Sequence, residues 1–215
     1  MRSKLEIRQE IIRVGLIAII RATSSAGCVD AVISLGRAGA LLVEVTLTTP
    51  GALQVLADVR ATLPHITMGV GSVLTLEDVH ASVSAGAEFI VTPIFRADII
   101  AECNRLGLVV VSGAYTPTEA QSAYEAGADF IKIFPADALG SRYVKAILGP
   151  LPHLQIIPTG GVDLTNIPEF IAAGCKAVAV GGNLVSQKVL DDRDFDALET
   201  NARDFVNVVA RARSL

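Results

Sequence analysis

Apolar residues fall along this chain in eight short runs, separated by stretches in which they recur at helical spacing. The runs lie in LIAIIRA (16–22), RAGALLVEVTL (37–47), HITMGVGS (65–72), SAGAEFIVTPI (84–94), LVVVSGA (108–114), EAGADFIKIFP (125–135), QIIPTGG (155–161) and AAGCKAVAVGG (172–182). Short, and rich in Ile, Val and Phe, they read as strands buried on both faces. Four of them follow an Ala-Gly pair, at 38–39, 85–86, 126–127 and 173–174. Glycine there fits the left-handed position that ends a helix. The intervening segments carry a helical period; SAGCVDAVISLGRA places Val29, Val32, Ile33 and Gly36 on one face.

Eight repeated strand–helix units in one chain imply an α/β fold, a closed parallel TIM (β/α)8 barrel, with residues 1–215 as a single domain. A doubly wound open sheet would more usually have fewer strands and a glycine-rich turn after the first, which LIAIIRATSS lacks. LEIRQEIIRVG supplies a short N-terminal helix. FDALETNARDFVNVVARARSL supplies a closing amphipathic helix with Phe195, Leu198, Phe205, Val208 and Val209 as its apolar stripe.

The sixth run, FIKIFPA, carries a lysine in its middle, Lys132. A buried ammonium must find a partner or lose its proton, and a neutral lysine amine is a nucleophile toward carbonyls. The alternative is a lysine at the strand edge whose head reaches water. The repeat supplies a register that bears on this choice. The fifth residues after the glycines of the Ala-Gly pairs are Glu44, Val91, Lys132 and Ala179. Alternate strands of such a barrel feed one interior layer, so Glu44 and Lys132 are expected to face each other across it. The next layer toward the mouth would hold Thr46, Pro93, Phe134 and Gly181.

Barrels of this kind carry their sites at the C-terminal strand ends. There the sequence puts Arg21, Thr48, Ser72, Pro93, Phe134 and Thr159, with two glycine pairs after the last strands: Gly160–Gly161, and Gly181–Gly182 followed by Asn183. Bare backbone N–H groups in such loops suit a phosphate, and Arg21 suits a carboxylate or phosphate.

Composition removes several function classes. The formal net charge of −4 leaves no footprint for nucleic acid or anionic membrane. MRSKLEIRQE is too charged for a signal peptide, and no apolar run reaches transmembrane length. Cys28, Cys103 and Cys175, an odd number at irregular spacing, suggest reduced thiols in a cytoplasmic protein. His65, His80 and His153 stand apart, so no metal site is expected.

EVTLTTP (44–50), GVGSVLT (69–75), IVTP (90–93), IKIFPA (131–136) and IPTGGV (157–162) together resemble the class I aldolases that cleave 2-keto-3-deoxy-6-phosphogluconate (KDPG), a family that also handles 4-hydroxy-2-oxoglutarate (KHG) and the 6-phosphogalactonate epimer. The similarity runs from about residue 10 to about residue 190. It implies a homotrimer of barrels that needs no cofactor, with a small 2-oxo acid as substrate. It implies that Lys132 forms the Schiff base and Glu44 transfers protons. Arg21, Ser72 and Thr48 would bind the substrate carboxylate, and Thr159, Phe134 and Pro93 the rest of the molecule. Gly160, Gly161, Gly181, Gly182 and Asn183 would cradle phosphate. Ser72 stands where threonine is usual in the family, Thr48 where some members have arginine, and Asn183 where many have serine. The oligomer is implied by the resemblance alone; no apolar strip in the sequence marks an interface.

The same imine would serve KDPG, its galactonate epimer, 4-hydroxy-2-oxoglutarate or the decarboxylation of oxaloacetate. A phosphometabolite-binding barrel in which Lys132 is only structural is the reading from another class.

Overall fold

Each of the eight apolar runs becomes a strand, and the strands are hydrogen-bonded in parallel in the order β7-β6-β5-β4-β3-β2-β1-β8. A computed structural model describes residues 2–214. The strands are β1 (Leu16–Ile20), β2 (Leu42–Thr46), β3 (Thr67–Gly71), β4 (Phe89–Val91), β5 (Val109–Ala114), β6 (Phe130–Ile133), β7 (Ile156–Pro158) and β8 (Val178–Val180). Between β7 and β8 the seam is thin: a single bridge joins Thr159 to Ala179, and the Lys176 N–H donates to the Ile156 carbonyl at 3.0 Å. These contacts complete a nearly closed barrel, as the repeat predicts.

Around the strands run α2 (Cys28–Arg37), α3 (Ala52–Thr62), α4 (Leu76–Ser84), α5 (Ala97–Arg105), α6 (Pro117–Glu125), α7 (Gly140–Leu148) and α8 (Ile167–Ala172). The N-terminal segment forms α1 (Lys4–Val14), started by a Ser3–Glu6 capping box. Its Ile7 and Ile11 pack with Ile17, Leu42, Phe89, Val109, Phe130 and Ile157, closing the N-terminal end of the barrel interior. That cluster is separate from the larger one between strands and outer helices. The strands are therefore apolar on both faces, and for that reason their runs show no two-residue alternation.

Two details of the helices depart from the sequence reading. On α2 the buried face is Cys28, Ala31, Val32 and Leu35, while Val29, Ile33 and Gly36 are only half-buried. The helix packs on α10 (Phe195–Arg213) and on α3, and these neighbours turn the stripe by about one residue. Before α10 the chain also inserts a six-residue helix, α9 (Gln187–Asp192), capped by the Ser186 hydroxyl. On α10 itself Leu198, Phe205 and Val209 are buried as expected, and Phe195 and Val208 pack against the core in part. The three cysteines are free and buried; burial pushes the thiols of Cys103 and Cys175 up to about 12.

Candidate active site

Glu44 in the middle of β2 and Lys132 in β6 project into the barrel from opposite sides. Lys132 Nζ lies 3.9 Å from Glu44 Oε1, with side chains 7% and 2% exposed. The interior fills the rest of their layer with Val91 and Ala179, both buried. The Phe134 ring is 5.3 Å from Nζ, one layer nearer the mouth. Burial raises the Glu44 carboxyl above the ordinary glutamate value, and the charges of Lys132 and, less strongly, Arg21 only partly oppose it. The site thus holds an amine beside an acid that is reluctant to ionise. That pairing suits chemistry in which a proton is passed back and forth.

Room for Glu44 comes from the neighbouring strand. A Cβ on Gly71 would sit 1.8 Å from Glu44 Oε1 and 2.5 Å from its carboxyl carbon, so the bare backbone of β3 forms the notch that seats the carboxylate. In the sequence Gly71 is only the next-to-last residue of the third apolar run, HITMGVGS, and nothing local marks it as part of the site. The available signal was a G-V-G stretch inside a strand that pairs with the one carrying the buried acid.

Above the pair, at the C-terminal mouth, lies a cleft of ≈ 290 Å³ lined by Ile19, Arg21, Phe134, Thr159, Gly160, Gly161, Val162, Gly181, Gly182 and Asn183. It gathers most of the mouth residues that the sequence singles out. Thr159 Oγ1 is buried and has no hydrogen-bond partner among the described residues, which leaves it for a bound molecule. Gly160 and Gly161 have φ of 90° and 67°, a region that favours glycine. Gly181 and Gly182 do not, and a Cβ on Gly182 would meet nothing within 4 Å. The first pair is set by its backbone turn; the second leaves open space over backbone at the cleft. Larger clefts, of ≈ 630 and ≈ 470 Å³, lie at the other end of the barrel around Arg213. They contain none of these groups.

The remaining expected residues lie off the cleft wall. Thr48, Ser72 and Pro93 follow β2, β3 and β4 on another side of the mouth. Thr48 is exposed, with its hydroxyl 2.9 Å from that of Thr46. Ser72 is half-buried and adopts φ 61°, an uncommon conformation for a residue with a side chain. It turns the chain sharply after the notch glycine. Asn183 donates its side-chain amide to the Val162 carbonyl at 2.9 Å, and Asn201 Nδ2 donates to the Asn183 carbonyl at 3.1 Å. Asn183 therefore clamps the two glycine loops together, a role the sequence did not suggest.

No group of three or more His, Cys, Asp or Glu among the described residues could hold a metal, and no described helix is long and apolar enough to cross a membrane.

Comparison with known proteins agrees with this geometry. The aldolase family described as KDPG and KHG aldolase matches residues 7–201. A 2-dehydro-3-deoxy-6-phosphogalactonate aldolase of Escherichia coli is 36% identical over 171 residues, 79% of this chain and 83% of its own. A 2-dehydro-3-deoxy-phosphogluconate aldolase of Haemophilus influenzae is 33% identical over 178 residues, 82% of this chain and 84% of its own. A solved structure described as native KDPGal is 32% identical and superposes with a TM-score of 0.85, covering 93% of this chain and 96% of that one. With fold, buried pair and sequence in agreement, the chain belongs to the KDPG and KHG aldolase family of carbon–carbon lyases.

Proposed function

We propose that this protein is a Schiff-base (class I) aldolase that cleaves 2-dehydro-3-deoxy-6-phosphogluconate reversibly to pyruvate and glyceraldehyde 3-phosphate. The observation that carries the reading is the buried Lys132–Glu44 pair at 3.9 Å beneath a glycine-lined cleft. Lys132 Nζ adds to C2 of the 2-oxo acid. Glu44, whose burial favours the protonated form, gives a proton to the departing hydroxyl, which leaves as water and the imine forms. The protonated imine then accepts the electron pair as the C3–C4 bond breaks. Glu44, now a carboxylate, takes the C4 hydroxyl proton through a water and later returns it to the enamine carbon. Hydrolysis of the imine releases pyruvate.

Arg21 and Ser72 hold the substrate carboxylate, with Thr48 at the rim. Thr159, Phe134 and Pro93 line the path of the carbon chain. The backbone amides of Gly160, Gly161, Gly181 and Gly182 meet the phosphate, in loops whose spacing Asn183 fixes. The enzyme acts in the cytoplasm as a homotrimer without a cofactor. Exposed Leu74, Leu76 and Ile94, in and beside the loops after β3 and β4, offer an apolar face for that assembly.

A second reading, cleavage of the galactonate epimer, is favoured by the higher identity to the Escherichia coli relative. It uses the same residues and differs at C4. Intact mass after incubation with pyruvate and borohydride tests the mechanism. One reduced pyruvate per chain, absent from Lys132→Ala, is expected; a folded parent that takes up none would leave Lys132 a structural residue. Relative kcat/KM on the two epimers, 4-hydroxy-2-oxoglutarate and oxaloacetate then orders the substrates. Sedimentation equilibrium reads the oligomer.

A further inference from the structure

A cation that meets the substrate carboxylate works best when it is already aimed, and no ion pair among the described residues holds Arg21. Its exposed side chain lines the cleft. The backbone that carries it fixes the point from which the side chain reaches into the cleft. That backbone lies beyond the β1–β2 ladder, whose last pair is Ile20 with Val45. The next rung is made by a side chain. The Ala22 N–H donates to Thr49 Oγ1 at 3.0 Å, in a buried contact across 27 residues of sequence.

Thr49 is itself held firmly. It is 1% exposed, and its N–H donates to the Thr46 carbonyl at 2.9 Å. Its hydroxyl lies 3.4 Å from that of Thr46, which in turn is 2.9 Å from that of Thr48. Thr46 sits one layer above Glu44 on the same strand. A line of hydroxyls thus connects the mouth end of β2 to the peptide just after Arg21.

We infer that Thr49 is a positioning residue for Arg21, fixing the end of β1 so that the guanidinium is presented to the substrate carboxylate. The inference rests on the reading of Arg21 given above. Valine at position 49 keeps the shape and removes the acceptor, leaving the Ala22 N–H without its partner. Serine keeps the acceptor.

Steady-state kinetics on one substrate, with melting temperature as a check on folding, would be measured for the parent, Thr49→Val, Thr49→Ser, Arg21→Ala and the Thr49→Val/Arg21→Ala double variant. Thr49→Val is expected to raise KM roughly tenfold, about what loss of one buried hydrogen bond is worth, with kcat within about threefold. Thr49→Ser should restore KM, and Thr49→Val should add little once Arg21 is gone. A purely structural role would lower the fraction of active enzyme, and so kcat, without this split. If Arg21→Ala leaves KM unchanged, the reading of Arg21 fails and the inference with it. If Arg21→Ala raises KM but Thr49→Val does not, or raises it equally without Arg21, Thr49 is no positioning residue.

Discussion

Replacing Gly71 by alanine tests the notch beneath Glu44 with a single methyl group. The added Cβ would lie 1.8 Å from Oε1, 2.5 Å from Cδ and 2.8 Å from Cγ of Glu44, where real Cβ contacts essentially never fall under 3.0 Å. The carboxylate oxygen must retreat by more than an ångström, inside an interior where its side chain is 2% exposed. Overpacking of this kind costs about 1–3 kcal/mol, and each kcal/mol lowers Tm by about 2–4 °C for a chain of this size. A shift of about 1 Å in a catalytic group can cost about 100-fold in rate. The expected result is a Tm lowered by several degrees and kcat/KM reduced by about two orders of magnitude. Lys132 should still be trapped by pyruvate and borohydride, though more slowly. The decisive control is the same change made in a Glu44→Ala background. Gly71 does not have a positive φ, so with the clash removed alanine should be neutral or stabilising by about 0.4–1 kcal/mol through the unfolded chain. A Gly71→Ala enzyme with the parent's Tm and kcat/KM would refute the seating of Glu44 against β3. So would an equal loss of stability in both backgrounds.

Other consequences follow from the same geometry. Lys132→Met removes the main charge opposing the elevation of Glu44. A carboxyl raised in the folded state contributes stability that is full below its unfolded pKa and is lost as pH rises through the folded one. The urea midpoint of the variant should therefore fall more steeply than the parent's from about pH 4.5 upward; parallel curves would argue against it. Gly182→Ala, which meets open space, should leave Tm unchanged and raise KM for a phosphorylated substrate more than for 4-hydroxy-2-oxoglutarate; equal effects on both would take the phosphate away from this loop. At the far end, Arg213 donates to the Arg13 and Ile12 carbonyls, capping α1 from α10. Arg213→Ala should cost about 0.5–1.5 kcal/mol in chemical denaturation while pyruvate trapping stays normal, and an unchanged denaturation midpoint would count against the cap.

Much of the fold and of the buried Lys132–Glu44 pair was legible because both depend on periodic position. Eight apolar runs at regular spacing leave a closed parallel barrel as the economical solution. The fifth residue after a helix-ending glycine lands in one interior layer, so the repeat alone pairs Glu44 with Lys132. The glycine pairs and the strand-end arginine were legible as residues of the mouth, and the structure gathers them around one cleft. Features that depend on how neighbours pack were hidden. The buried face of α2 turned by a residue because α10 and α3 flank it. Asn183 lines the cleft as expected, but its amide bond to the Val162 carbonyl was hidden, since two loops distant in sequence meet there.

The sequence by itself determined the alternation of eight strands with helices, the inward register of Glu44 and Lys132 and the glycine-rich mouth, because each follows from local pattern and a fixed repeat. Only the tertiary structure decided that the lysine meets an acid held above its ordinary pKa. Only it showed that Gly71 makes room for that acid and that Thr49 ends β1 beneath Arg21. Those outcomes rest on distances between residues 27 to 88 positions apart, which packing alone can bring within a few ångströms.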